Sequence, residues 1–295
     1  MYYNENTIVF YKGEFIRAVD ARCNIYDQTI HYGYGVFEGI RAYATDGGVS
    51  IFKAMEHFDR MKYSCEVARI PYPYNNEELV DISYAVLTRN NLTNAYLRPL
   101  ISCIPNMSLS KGLGSQLLIA AWEWGAYLGH DLLDVKISPY RRPNPSGFKV
   151  AAKITGHYVN SILACQDAKD DGFDEALLLD VEGFVAEGPG ANIFFEVEGK
   201  LITPEAGSIL PGITRATIID ICRDLEIDVT ERKILPEEII DFDSAFFCGT
   251  AAEVIGIRSI DRVPFKKDWD ETKGFLIQQA YKKMVLGKDY SLLVA

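Results

Sequence analysis

The sequence predicts a protein of mixed α/β class built as two domains. Three observations carry that expectation. The chain has 295 residues, enough for two domains of modest size. It is 48% hydrophobic and 24% charged, a balance that supports a real core. Segments of period two also alternate with segments of helical period on both sides of Gly125-Ala126-Tyr127-Leu128-Gly129.

The first half opens with strands over 7–10 and 14–17, joined at Lys12-Gly13. A second hairpin over 36–43 and 49–52 turns at Asp46-Gly47-Gly48. A helix follows over 54–68, where Met55, Phe58, Met61 and Cys65 share one face. Asn75-Asn76 starts another helix over 77–90, which closes before Asn94. Strands over 95–105 and 116–124 complete this half. Beyond the glycine-flanked segment, strands are expected over 135–140, 176–180, 192–197 and 245–248, with helices over 159–171, 214–225 and 269–286. The reading is a small N-terminal domain over 1–122, an interdomain loop over 123–134 and a large C-terminal domain over 135–295, with a cleft between the domains.

Thirty basic residues face 41 acidic ones, a net charge of −11. That field disfavours nucleic acid and anionic membranes as partners. Six scattered cysteines with no C-x-x-C pair argue against a metal site or a disulfide framework, and suit reduced thiols in the cytoplasm. Met1-Tyr2-Tyr3-Asn4-Glu5-Asn6 has no basic region leading into an apolar core. The longest apolar runs, such as Ala176-Leu177-Leu178-Leu179, are far short of a membrane span.

Four segments carry chemistry. Leu210-Pro211-Gly212-Ile213-Thr214-Arg215 turns into an amphipathic helix whose first N–H groups and Thr214 hydroxyl make an anion site; an ordinary N-cap turn is the local alternative. Cys248-Gly249-Thr250-Ala251-Ala252-Glu253 ends an apolar strand in small residues, as a ligand cradle or a tight turn would. Lys153 lies among small and apolar residues, where desolvation exposes a nucleophilic amine; a strand-end lysine with its head in water is much the commoner local reading. Glu187, on a Gly/Pro-rich loop, suits either a pyridine nitrogen or solvent.

Taken in order, these segments resemble the class IV pyridoxal-phosphate aminotransferases (fold type IV), and within them the branched-chain amino-acid aminotransferases. His31-Tyr32-Gly33, Val36-Phe37-Glu38-Gly39-Ile40-Arg41, Glu56-His57-Phe58-Asp59-Arg60, Ala95-Tyr96-Leu97-Arg98-Pro99-Leu100 and Trp124-Gly125-Ala126-Tyr127-Leu128-Gly129 extend the likeness over nearly the whole chain. The resemblance implies a two-domain fold with its active site in the interdomain cleft. It implies transamination of leucine, isoleucine or valine with 2-oxoglutarate, with pyridoxal 5′-phosphate carried by Lys153 as a Schiff base and Lys153 shuttling the proton. Glu187 then pairs with the pyridinium nitrogen and Tyr158 with the phenolic oxygen. Arg60, Ile213, Thr214 and Thr250 hold the phosphate, and Leu210 packs on the ring. Tyr96, Thr250 and Ala251 meet the substrate carboxylate, and Arg98 serves acidic substrates. Phe37, Trp124, Tyr127 and Tyr158 wall the pocket, and Tyr32 reaches it from a partner subunit, which implies at least a dimer.

The chain departs from the family pattern at Pro189 and Ala191, at Ile154-Thr155-Gly156-His157 after the lysine, and at Val254-Ile255-Gly256. None of these removes a catalytic group. Rivals on the same fold are a D-amino-acid aminotransferase and an aminodeoxychorismate lyase. A non-catalytic relative is a third reading, and Lys153, Tyr158 and Glu187 speak against it.

Overall fold

A computed structural model describes residues 2–124 and 132–294. The chain divides into two compact units, Met1–Gly125 with Ala152–His157, and Ala126–Ala151 with Tyr158–Ala295.

The first unit contains β1 (Ile8–Tyr11), β2 (Glu14–Arg17), α1 (Gln28–Tyr32), β3 (Gly35–Phe37), β4 (Ile40–Thr45), β5 (Gly48–Ile51), α2 (Ala54–Ala68), α3 (Asn76–Arg89), β6 (Ala95–Cys103) and β7 (Ser115–Glu123). Its seven-stranded sheet runs β2-β1-β7-β6-β4-β5, with β3 also on β6. The expected strand over 36–43 is two strands, broken at Glu38-Gly39. Both halves keep one register against β6, Phe37 opposite Leu100 and Ile40 opposite Leu97. The break falls where Glu38 N–H donates to Pro99 O at 2.9 Å, because Pro99 has no N–H to return the bond. Phe58, Met61 and Cys65 of α2 pack into the core with Leu97, Ile101 and Leu117. Met55, expected on that face, is instead exposed, and Ala54 takes the buried place. Asn75 caps α3 by accepting from Glu77 and Glu78 N–H.

The second unit contains β8 (Leu132–Arg141), α4 (Tyr158–Asp170), β9 (Glu175–Leu179), β10 (Val185–Glu187), β11 (Asn192–Val197), β12 (Lys200–Pro204), α5 (Ile213–Asp224), β13 (Val229–Arg232), β14 (Ser244–Gly249), β15 (Glu253–Ile260), β16 (Val263–Pro264) and α6 (Lys273–Val285). Its nine-stranded sheet runs β10-β9-β8-β15-β14-β11-β12-β13, with β16 on β15. The expected helix over 269–286 begins only at Lys273, where Thr272 accepts from Phe275 N–H and caps it. No described helix is long and apolar enough to cross a membrane.

Residues 152–157 follow β8 in sequence, yet they pack in the first unit rather than with the rest of 135–295. Ile154 bridges Val36, and Gly156 N–H donates to Gly33 O at 2.9 Å. Gly33 has φ of +61°, and a Cβ there would lie 2.7 Å from Gly156 Cα, so the two glycines permit the close crossing. Of the expected loop over 123–134, Glu123 closes β7 and Leu132 opens β8. Residues 125–131 lie outside the described residues, and the expected pocket residue Tyr127 is one of them.

Candidate active site

The first unit presents an amine and a guanidinium from a buried frame. Lys153 is held through its backbone: its N–H donates to Ser64 Oγ at 2.9 Å, and its carbonyl accepts from Phe37 N–H at 3.2 Å. Its Nζ lies 5.0 Å from the Phe37 ring centroid. Ser64, Arg60 and His57 lie on one stripe of α2, at helical spacing.

Arg60 is aimed by Glu38, which is fully buried. Arg60 Nε and one terminal nitrogen donate to the two Glu38 oxygens at 2.7 and 2.8 Å, a bidentate pair. His57 Nδ1 lies 2.8 Å from Glu38 Oε2. The carboxylate only accepts, so Nδ1 carries the proton. Burial by itself would raise the Glu38 carboxyl, but the Arg60 charge and the hydrogen bonds from Arg60 and His57 outweigh it and hold the group well below the usual carboxylate range. Burial pushes His57 below its ordinary value despite Glu38, which favours the neutral ring.

Aromatic rings surround Arg98 on the other face of β6. Its guanidinium carbon lies 4.7 Å from the Phe37 centroid, 5.3 Å from Tyr96 and 5.9 Å from Trp122. Tyr96 packs between Trp122 and Trp124, with centroids 5.3 and 5.0 Å away. Arg98 Nε, Trp122 Nε1 and Trp124 Nε1 are buried without a hydrogen-bond partner among the described residues. Buried polar groups are normally satisfied, so such donors suit a polar ligand. Gly39 makes room for this cluster, since a Cβ there would lie 1.7 Å from the Tyr96 hydroxyl.

The second unit presents a carboxylate and an anion cradle. Glu187 ends β10, and its Oε1 accepts Leu210 N–H at 3.0 Å and lies 2.9 Å from the Arg142 guanidinium. Its Oε2 accepts the Asn192 amide at 3.0 Å, which also donates to Leu210 O. One carboxylate thus fixes the approach to α5. That helix has Gly212 as its N-cap with no side-chain cap, so its first N–H groups point outward beside the buried Thr214. Tyr158 is the first residue of α4. Thr250 and Ala251 form the tip between β14 and β15, where Gly249 pairs with Glu253. The strand-to-strand turn is therefore real, and half-buried small residues line it.

Each unit carries groups that fit pyridoxal phosphate: an amine in the first, and in the second an uncapped helix start suited to a phosphate and a buried carboxylate suited to a protonated ring nitrogen. Residues 35–260 match the family model described as amino-transferase class IV. The chain belongs to the class IV aminotransferases. Its fold is the fold type IV arrangement expected from the sequence. This class IV aminotransferase is 39% identical over 287 residues to a branched-chain-amino-acid aminotransferase of Pseudomonas aeruginosa, covering 95% of this chain and 94% of that one. It is 36% identical to the enzyme of that name from Escherichia coli, covering 95% and 93%. A solved branched-chain aminotransferase from Thermoproteus uzoniensis, crystallised with norvaline, superposes with a TM-score of 0.92 at 36% identity, over 96% of each chain. A Thermobaculum terrenum enzyme solved in its PLP form superposes with a TM-score of 0.91 at 31% identity, covering 97% and 96%.

Sequence reasoning gave no role to Glu38, His57, Ser64, Trp122, Arg142 or Asn192. A glutamate inside the apolar run Val36-Phe37-Glu38-Gly39-Ile40 was the available signal, because a buried carboxylate requires a partner. Nothing comparable marks Arg142.

Proposed function

We propose that the chain transaminates L-leucine, L-isoleucine and L-valine with 2-oxoglutarate, using pyridoxal 5′-phosphate. The observation that carries the substrate assignment is the Arg98 guanidinium set among Phe37, Tyr96 and Trp122. The aromatic surface takes an aliphatic side chain by burial, each methylene adding about 0.8 kcal/mol. The guanidinium gives the second carboxylate of 2-oxoglutarate a charged partner. The branched-chain names of the relatives support the same reading.

In this reading the residues divide the labour. Bound to the chain, the cofactor supplies a ring that withdraws electrons from the substrate Cα. The Lys153 amine attaches it and later moves the proton at Cα. Glu187 holds the proton on the ring nitrogen, and Tyr158 bonds the phenolic oxygen. Arg60, Ile213 N–H, Thr214 and Thr250 hold the phosphate, while Leu210 packs on the ring. Tyr96, Thr250 and Ala251 N–H orient the substrate carboxylate. Phe37, Trp124 and Tyr158 exclude water.

The chain works as at least a dimer, with Tyr32 serving the site of a partner. Supporting this, Tyr32 is exposed beside Ile25, Tyr26, Ile30, Met107 and Leu109, an apolar surface that association would cover. A cytoplasmic setting is supported by six free cysteines.

The test is a half-reaction panel on the purified protein loaded with pyridoxal 5′-phosphate. L-leucine, L-isoleucine and L-valine are expected to convert the cofactor. Conversion by D-alanine or aminodeoxychorismate alone overturns the substrate assignment. Lys153→Ala is expected to abolish the visible absorption of the lysine-linked cofactor, and a wild-type protein that stays colourless after reconstitution overturns the cofactor role.

A further inference from the structure

The pairing of Glu187 with a ring nitrogen leaves one of its contacts unaccounted for. The Arg142 guanidinium lies 2.9 Å from Glu187 Oε1, and both side chains are sealed from solvent, 7% and 6% exposed. The sheet builds this contact. Arg142 follows the last residue of β8, and its N–H donates to Leu179 O at 2.8 Å. Glu187 stands opposite Leu178 in the β10–β9 pairing, so β9 brings the two side chains together. Arg141, one residue earlier, is exposed, and its carbonyl is tied to α4 through the Asn160 amide at 2.9 Å.

We propose that Arg142 is a positioning residue that keeps Glu187 ionised, and so fixes how firmly the cofactor's ring nitrogen keeps its proton. The proposal rests on the reading of Glu187 as the ring-nitrogen partner. A carboxylate this deeply buried favours its neutral form unless a charge or hydrogen bonds stabilise the anion. Leu210 N–H and the Asn192 amide supply neutral donors, whereas Arg142 brings a full positive charge into direct contact with Glu187. Guanidinium does not lose its proton in proteins, so the charge is permanent. A neutral Glu187 offers the ring nitrogen no negative charge, and the nitrogen then sheds its proton more readily.

Cys248 and Arg215 do not duplicate this role. Cys248 on β14 is fully buried, and burial pushes its thiol far above the ordinary range, so it stays neutral. Arg215 on α5 is committed elsewhere, donating to Pro204 O at 2.9 Å and Glu231 at 2.6 Å.

The experiment compares holoenzyme carrying pyridoxal 5′-phosphate labelled at the ring nitrogen in wild type, Arg142→Met, Arg142→Lys, Glu187→Gln and the Arg142→Met/Glu187→Gln double variant. Nitrogen NMR reads the protonation of the ring, and equilibrium dialysis reads cofactor affinity. Arg142→Met is expected to move the ring-nitrogen signal toward neutral pyridine and to weaken cofactor binding by about 10- to 100-fold. Arg142→Lys restores most of the protonated signal, because the charge is kept. Glu187→Gln gives the same change, and the double variant adds nothing to it. A wild-type signal in Arg142→Met beside an altered Glu187→Gln overturns the role of Arg142. Wild-type signals in both variants overturn the reading of Glu187 instead. An additive loss in the double variant shows that Arg142 does not act through Glu187. Should Arg142→Met fail to fold, Arg142→Gln is read by the same two measurements and decides.

Discussion

The peptide N–H of Lys153 donates to the hydroxyl of Ser64 at 2.9 Å, which anchors the lysine to the helix that also carries Arg60. Ser64 is completely buried. Ser64→Ala therefore leaves the Lys153 N–H without its acceptor, at a cost of about 1–3 kcal/mol. Urea unfolding is expected to show that loss. Steady-state kinetics should show a lower kcat, because the amine is no longer fixed at its backbone. Unchanged stability together with unchanged kcat argues that 152–157 is held by its other contacts, the Phe37 N–H bond, the Val36 bridge and the glycine crossing.

Glu38 is the most fully enclosed charge near the candidate site, and its value lies in Arg60. Glu38→Gln keeps the shape but removes the anion from a buried bidentate pair. Breaking one side of such a pair typically costs about 3–5 kcal/mol, because the guanidinium stays buried without compensation. Chemical unfolding should show a loss in that range. On the proposed assignment of Arg60 to the phosphate, cofactor titration should show weaker binding, since Arg60 loses its aim. A loss below about 1 kcal/mol marks Arg60 as able to swing to water.

Acid should unfold the first unit in two stages. The unfolded chain protonates His57 near its ordinary value of 6.5, whereas the buried ring resists the proton, so stability begins to fall once the pH drops below that value. Glu38 repeats the pattern below its ordinary 4.5, because its folded value is lower still. Both contributions are complete above about pH 6.5. Melting temperatures recorded across pH should decline from there downward. His57→Gln should flatten the upper stage and leave the lower one. An identical slope between wild type and His57→Gln in the upper stage assigns that decline to other groups.

Compact apolar runs bounded by turns were legible, and an apolar run broken by a glycine was not. The β11 range 192–197 matches its expectation because Phe194 and Phe195 sit in a compact apolar run bounded by turns. β15 was not expected, although Val254, Ile255 and Ile257 are strand formers. It lies between β8 and β14, buried along most of its length, so it shows no alternation. Its Gly256 reads as a breaker, yet it is small because Trp269 and Leu132 press on it: a Cβ there would lie 2.7 and 2.6 Å from them. The site divides in the same way. Lys153 and Glu187 stand in motifs whose order carries information. Arg142 stands in Arg141-Arg142-Pro143, which reads as a solvated strand end until the sheet buries one arginine and exposes the other.

Gly39 separates steric from chemical control of the Tyr96 hydroxyl. A methyl group there would lie 1.7 Å from that oxygen, on a rigid ring wedged between two indoles, so the ring must tilt. Overpacking of this kind costs about 1–3 kcal/mol. Gly39→Ala is expected to lower stability by that amount and, on the proposed assignment of Tyr96 to the substrate carboxylate, to raise KM for amino acid and oxo acid alike. A change confined to one substrate class removes Tyr96 from carboxylate recognition.

Arg98 should instead divide the two substrate classes. Its guanidinium stacks on Phe37 and reaches the Tyr96 hydroxyl at 3.3 Å, so it contributes apolar surface through its stem and charge at its head. Arg98→Met keeps the stem and deletes the charge. A charged hydrogen bond to a carboxylate is worth about 1.5–3 kcal/mol, roughly 10- to 100-fold in kcat/KM. The glutamate and 2-oxoglutarate half-reactions should fall by that factor. The leucine half-reaction should hold or improve, since its aliphatic chain meets methionine in place of a half-buried cation. Single-turnover rates for the two half-reactions measure both arms on one preparation. Equal losses for leucine and glutamate would mean that Arg98 supports the aromatic cluster without contacting the second carboxylate, and that another group must neutralise it.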